Sequence, residues 1–259
     1  MLEVDSLILD MDGVLWRGSR PMPGLRLFFE ALRRRGIDFI LATNNSTRTV
    51  EHYVDKLAGM GAQVRPEQVL TSAYATADYL LTVAERGAAV YPVGEAGIMD
   101  ALESRGFRPT AEKAEFVVAG LDRGFTYDKM ATAATLIGNG ARFIGTNPDL
   151  TLPTPDGPRP GAGAILAAIS AASGVEPTIT GKPEPLMFQQ ALAKLGARPE
   201  RAAMVGDRLE TDIQGGKNAG VRTILLLSGV TDREQLARSP IQPDWVFDDL
   251  CALTAALGE

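Results

Sequence analysis

The sequence predicts an α/β fold in which parallel strands alternate with helices along the chain. Three observations carry this expectation. Short apolar runs stop abruptly at small polar or acidic residues: Leu7-Ile8-Leu9 before Asp10, Ile37 to Ala42 before Thr43, and Ala202-Ala203-Met204-Val205 before Gly206. Strands buried in a parallel sheet read this way. Helical stretches closed by a glycine follow, such as Leu25 to Arg35 with Gly36. A second series of the same kind begins at Ala89, so the 259 residues form either one large domain or a core with an insert.

Composition narrows the function. Hydrophobic residues make up 45% of the chain, enough for a sizeable core. Acidic residues outnumber basic ones by 32 to 26, for a formal net charge of -6. That balance argues against a nucleic-acid partner. The one basic run, Arg33-Arg34-Arg35, closes a helix, where positive charge suits the dipole. The single cysteine, Cys251, implies no oxidising compartment, and its amphipathic setting predicts a core or half-buried place. The lone histidine, His52, sits in a helical pattern and excludes histidine-based triads. Glu3 and Asp5 open the chain without a basic n-region, and no apolar run approaches a membrane span. The expected setting is cytoplasmic, with no membrane partner.

Taken in order, the first strand ends in Asp10-Met11-Asp12-Gly13, with Asp10 at the carboxyl end where open α/β sheets place ligands. Alternation predicts that Asp10 and Asp12 converge, and two such anions need a cation or a proton between them. Hard oxygen ligands without histidine or cysteine suit Mg²⁺, while a solvated Asp-rich turn fits this stretch equally well. Val14 to Gly18 and Pro21 to Gly24 read as a short flap broken by turns. Strand Ile37 to Ala42 runs into Thr43-Asn44-Asn45-Ser46-Thr47 and a helix from about Arg48 to Met60. Free N–H groups at such a helix start favour an anion, but ordinary capping by Ser46 or Thr47 needs no ligand. Thr71 to Glu85 is a further helix.

The second series then places strands over Ala89 to Val93, Phe116 to Ala119 and Arg142 to Thr146. Helices fall over Ala96 to Ser104, Tyr127 to Ile137 and Ala164 to Ser173. Leu152 to Gly163 is rich in Pro and Gly and reads as a loop. Gly161-Ala162-Gly163 lacks the third glycine and preceding strand of a dinucleotide site. Gly181-Lys182 fails as a P-loop, since Glu176 stands where the first glycine is needed and Pro183 replaces Ser or Thr. Lys182 instead precedes Pro183 and Glu184, good first-turn residues of a helix running to Leu195, where a single lysine reads as a solvated charge. Strand Ala202 to Val205 ends in a second acidic cluster, Gly206-Asp207-Arg208-Leu209-Glu210-Thr211-Asp212. Asp207 would reach the same crevice as Asp10, while Asp212 also suits a helix first turn. A strand over Arg222 to Leu227, one at Trp245-Val246-Phe247 and a last helix complete the chain.

Asp10-Met11-Asp12-Gly13, Thr43-Asn44-Asn45, Lys182-Pro183 and Gly206-Asp207 with Thr211-Asp212 resemble, in order and position, the four motifs of haloacid-dehalogenase-like (HAD) hydrolases. Asp12-Gly13-Val14-Leu15-Trp16 with Thr43-Asn44-Asn45-Ser46 looks like the p-nitrophenylphosphatase or NagD-like branch, subfamily IIA. The resemblance implies a Rossmann-like parallel-sheet core, roughly 1–77 and 180–259, with an inserted α/β cap of the C2 type over 78–179. It implies that Asp10 is the nucleophile and Asp12 the general acid and base. Thr43, the Asn44 amide and Lys182 would hold phosphoryl oxygens. Mg²⁺ would be bound by Asp10, the Asp12 backbone carbonyl and Asp207, with Asp212 in support. Asn147 and Asp149 resemble the branch's substrate-contacting cap loop, or form a plain turn.

The expected activity is Mg²⁺-dependent hydrolysis of a small phosphorylated metabolite through an aspartyl-phosphate. Two alternatives stand beside it: phosphotransfer to a hydroxyl through the same intermediate, and a non-catalytic binding protein on the same fold. The substrate and oligomeric state stay open, although relatives in the branch form homodimers through the cap.

Overall fold

Strand Ser6–Leu9 is buried at every position, and it lies between Asp38–Thr43 and Ala202–Gly206. Its parallel pairings set Leu9 beside Leu41 on one side and Val205 on the other. The six-stranded order is Trp245–Phe247, Arg222–Leu226, Ala202–Gly206, Ser6–Leu9, Asp38–Thr43 and Val69–Thr71. Strands that follow Ser6–Leu9 in sequence extend the sheet one way, and those from Ala202 onward extend it the other. The order therefore reverses between Ser6–Leu9 and Ala202–Gly206, which is where a crevice opens at strand carboxyl ends. Asp10 and Asp207 are the residues that follow these two strands.

The computed structural model describes residues 3–152 and 157–258. They divide into two units. The first holds the chain up to Thr43, Glu51–Leu70 and everything from Lys182 onward. Helix Leu25–Arg35 buries Leu25, Phe28, Phe29, Ala31 and Leu32 on one stripe and packs on Leu250–Gly258. Gly36 closes it in the left-handed conformation, and Arg33, Arg34 and Arg35 stay exposed in its last turn. The flap is a two-stranded hairpin, Trp16–Arg17 against Arg20–Pro21.

The second unit, Asn44–Val50 with Thr71–Gly181, has its own sheet. Its order is Thr178–Ile179, Arg142–Gly145, Phe116–Ala119, Ala89–Val93 and Arg108–Pro109, with parallel pairing throughout. Ala73, Ala77 and Leu80 of helix Ser72–Val83 pack with Ile98, Leu102, Phe107 and Phe116. A second cluster joins Ala133, Leu136 and Ile137 to Ile165, Leu166 and Ile169. These apolar contacts explain a boundary at Thr71 where the sequence suggested 78. Asn44–Val50 also falls in this unit, with the backbone of Ser46 and Arg48 so close to Gly97 that a Cβ there would overlap it.

Several expectations change locally. The helix expected from Arg48 starts at Val50, because Asn45 Oδ1 accepts from the Thr47 N–H (3.0 Å) and Oγ1 (2.8 Å) and holds a turn before it. The helix expected from Pro183 starts at Pro185, with Glu184 at its N-cap. The loop expected over Leu152–Gly163 contains an antiparallel pair, Thr151–Leu152 with Arg159–Pro160, and helix Ala162–Ser173 begins earlier than Ala164. Residues 153–156 of that loop lie outside the described residues. Gly161 and Gly163 allow this tighter path, since a Cβ on either would overlap the backbone of Pro148 or Asp149. Cys251 is exposed rather than half-buried, its Sγ 3.4 Å from Pro23 O. Among the described residues, no helix is long and apolar enough to cross a membrane.

Candidate active site

The sheet's pairing carries one residue past strand Ser6–Leu9, because the Asp10 N–H donates to Val205 O at 2.9 Å. That bond fixes the Asp10 backbone at the edge of the crevice. Its carboxylate Oδ1 accepts from Lys182 Nζ at 2.5 Å. Nζ also donates to Asp212 Oδ1 at 2.7 Å and to Ala42 O at 3.1 Å. Lys182 is only 2% exposed, and an ammonium is tolerated there because anions surround it. Burial works against its charge, but Asp10 and Asp212 outweigh that effect and raise its pKa above the ordinary lysine value. Burial pushes the Asp10 carboxyl well above the ordinary range, with Lys182 pulling it down and Asp212 and Asp207 pushing it further up.

Asp207 is fully buried after strand Ala202–Gly206. Its Oδ2 accepts from the Val230 N–H at 2.8 Å, while Oδ1 has no hydrogen-bond partner among the described residues. Burial, then the negative charge of Asp212, raises the Asp207 carboxyl to about 6. Two glycines make room for it. Gly13, at φ +90°, and Gly229 lie so close that a Cβ on either would overlap the Asp207 carboxylate. Asp212 faces two ways: Oδ1 holds Lys182, while Oδ2 accepts from the N–H groups of Asp207 (3.2 Å) and Arg208 (3.1 Å). It sits in a π-helical turn, Leu209–Ile213, rather than an ordinary helix first turn.

Asp12 does not join this group through its carboxylate. The strand ends at Leu9, and the chain reverses as the N–H groups of Val14, Leu15 and Trp16 turn back to Met11 O. Strand alternation therefore does not reach residue 12. The exposed Asp12 instead accepts from the Trp16 indole N–H, Nε1 to Oδ1 at 2.6 Å. Trp16 is buried, stacked on Tyr53 with ring centroids 6.3 Å apart, and Lys56 Nζ lies 4.0 Å from its ring centroid.

Thr43 ends its strand and is buried. Asn44, Asn147 and Asp149 gather in the second unit. The Asn44 side-chain amide donates to Asp149 Oδ2 at 3.2 Å, and Asn147 Nδ2 donates to Asn44 O at 2.7 Å. The Asp149 N–H donates to Asn147 Oδ1 at 3.2 Å, as in an Asx turn. Val230 and Gly229 were not foreseen as partners of Asp207, because a backbone N–H and a missing Cβ leave no local pattern. Trp16 had a signal, since it closes the Asp12-to-Trp16 phrase quoted above.

Asp10, Asp207 and Asp212 each offer a carboxylate oxygen, these atoms all lying within 4.8 Å of one another. Three carboxylates face one ammonium, so full ionisation leaves two negative charges uncompensated. The unpartnered buried Oδ1 of Asp207 adds a free hard ligand. This donor set fits a divalent cation that prefers oxygen.

The comparisons with known proteins agree. Residues 7–108 match the family model described as haloacid dehalogenase-like hydrolase, and residues 179–253 match one described as HAD-hydrolase-like. A dihydroxyacetone phosphatase of Corynebacterium glutamicum is 40% identical over 96% of this chain and 90% of its own.

The chain belongs to the haloacid-dehalogenase-like hydrolases.

Its branch follows from the solved structures. The 4-nitrophenylphosphatase of Thermotoga maritima superposes with a TM-score of 0.95 at 39% identity, covering 98% of both chains. NagD of E. coli gives 0.88 at 36% identity, covering 95% of this chain and 97% of its own. Both likenesses extend over the two βα series, so this HAD hydrolase is of the NagD-like type, subfamily IIA, with an α/β cap inserted in a Rossmann-like core.

Proposed function

We propose that this HAD phosphatase hydrolyses small phosphate monoesters in two displacements at Asp10, with Mg²⁺ as its metal. The observation that carries the reading is the pairing of Asp10 with the buried Lys182 beside the orphaned Asp207 oxygen. Lys182 occupies Oδ1 of Asp10, which leaves Oδ2 as the attacking oxygen. A carboxylate repels a phosphate dianion, and the fixed charge of Lys182 offsets part of that repulsion without reorganisation. Asp10, the Asp12 carbonyl and Asp207 would hold Mg²⁺, with Asp212 fixing Lys182 and the backbone after Gly206. When bound, the ion would neutralise charge on the nucleophile and the phosphoryl group. Thr43 and the Asn44 amide would add donors to the phosphoryl oxygens, with Asn44 first leaving Asp149.

In the first step Oδ2 of Asp10 bonds to phosphorus, the ester P–O bond breaks, and Asp12 gives its proton to the leaving oxygen. In the second, Asp12 takes a proton from water, the water oxygen bonds to phosphorus, and the bond to Asp10 breaks. Splitting hydrolysis in this way replaces one hard displacement with two easier ones. A placed acid and base of this kind contributes about 10²–10⁴-fold. The complete set of Asp10, Lys182, Asp207 and Asp212 favours this reading over a non-catalytic binding protein. Hydrolysis of a small metabolite fits the formal net charge of -6, which disfavours a nucleic-acid partner.

Chelation tests the metal. Excess chelator abolishes turnover of 4-nitrophenyl phosphate and Mg²⁺ restores it, whereas Ca²⁺ restores little because its larger shell lets a carboxylate bind through both oxygens. Full turnover in excess chelator contradicts the proposal.

A further inference from the structure

We propose that Trp16 is the positioning residue for Asp12, its indole N–H holding Oδ1 so that Oδ2 carries the proton that is given and taken during turnover. The inference rests on the reading of Asp12 as general acid and base. Its physical basis is a mismatch between the two partners. Trp16 is buried with none of its surface exposed, whereas Asp12 is exposed. A buried indole N–H needs an acceptor, and backbone carbonyls usually supply one. Here the acceptor is the Asp12 carboxylate at 2.6 Å. An exposed carboxylate is already hydrated, so Asp12 exchanges a water partner for the indole. What the bond fixes is direction.

The ring that donates the bond is itself held. Tyr53 stacks on it with planes 17° apart, and Lys56 rests its ammonium 4.0 Å from the centroid. Tyr53 and Lys56 are three residues apart on helix Val50–Gly59, hence on one face. The turn below is fixed too, with the Leu15 N–H on Met11 O at 2.8 Å and the Gly13 N–H on Trp16 O at 2.7 Å. A donor at Oδ1 makes that oxygen an acceptor, so a proton on the carboxyl resides on Oδ2. Trp16 thereby sets which oxygen faces the leaving group. Lys56 supports Asp12 as well, since the charge of Asp12 raises its pKa against the stronger lowering by burial.

The test separates aim from structure through the leaving group. Position 16 is changed to Phe and, separately, to the benzothienyl analogue of tryptophan, which keeps ring shape and stacking but has no N–H. Values of kcat/KM are measured for 4-nitrophenyl phosphate, whose phenolate leaves unprotonated, and for glycerol phosphate, whose alkoxide needs a proton. For both variants the glycerol ester should lose at least about tenfold more than the nitrophenyl ester, a part of what general acid catalysis supplies. An equal fall for both esters in the benzothienyl variant overturns the proposal and makes Trp16 a packing residue. Asp12→Asn, read from its single-turnover rate with each ester because it stalls after the first displacement, is the reference. If it shows the split and the benzothienyl variant does not, Trp16 has no positioning role while Asp12 keeps its own. If Asp12→Asn shows no split, the reading of Asp12 falls, and this inference with it.

Discussion

At the residue scale, the buried Asp207 links metal binding to pH. Burial and Asp212 raise its carboxyl from the ordinary 3.8 to about 6. Between those values the folded, metal-free protein binds more protons than the unfolded chain, so stability falls as pH rises through the window and stays lower above it. Mg²⁺ must displace that proton below about 6 but meets a carboxylate above it. Saturating Mg²⁺ should therefore raise Tm more at about pH 7.5 than at about pH 5, as thermal unfolding at the two pH values will show. Equal shifts would mean that Asp207 is not a ligand. Asp10 and Asp207 come together as the ends of their apolar strands suggested, whereas Lys182, by itself a charge at a helix start, was marked only by the resemblance to the family's motifs. The side-chain direction of Asp12 was not legible in the sequence, because alternation stops where the strand stops, at Leu9. The double role of Asp212 depends on a π-helical turn that no local propensity encodes.

At the element scale, the turn after the first strand is shaped by its glycine. Gly13 takes φ +90°, and a Cβ there would meet the Asp207 carboxylate. Gly13→Ala should cost about 1–3 kcal/mol for backbone strain alone. It should also weaken Mg²⁺ binding by displacing Asp207. Denaturant titration and calorimetric titration with Mg²⁺ measure the two effects separately. Loss of stability with unchanged affinity would detach Gly13 from the metal site. The strands that frame this turn were legible as apolar runs ended by small polar or acidic residues. Thr178–Ile179 and Val69–Thr71 were not, since so few residues carry no period and owe their state to pairing, whereas the equally short Trp245–Phe247 was. Helix Arg233–Arg238 did carry a signal: Asp232 and Gln235 form a capping box, with Asp232 Oδ1 accepting from the Gln235 N–H at 2.8 Å.

At the scale of the whole molecule, the reactive carboxylates belong to one unit, and Asn147 and Asp149 belong to the other. The repeat of the βα pattern made two units legible, but their boundary depends on apolar packing that shifts it to Thr71. No motif names the substrate, and the relatives' names differ between dihydroxyacetone phosphatase and 4-nitrophenylphosphatase. Substrate choice is expected to reside in the inserted unit. Asn147→Ala and Asp149→Ala should change the ranking among sugar, nucleotide and small-acid phosphates more than they change turnover of 4-nitrophenyl phosphate. A panel of esters assayed with each variant checks this, and equal loss on every ester would make the turn structural.

The chemistry itself is tested most directly by trapping Asp10 in its covalent state. The Asp12→Asn variant can still lose 4-nitrophenolate unassisted, but it lacks the base that activates water for the second displacement. Mixed with 4-nitrophenyl phosphate and Mg²⁺ and quenched in acid, it should release about one equivalent of phenolate per site and then stall. Intact-mass and peptide analysis should then find one phosphoryl group on Asp10. Slow linear release with no adduct, or an adduct on another residue, would contradict a two-step reaction at Asp10.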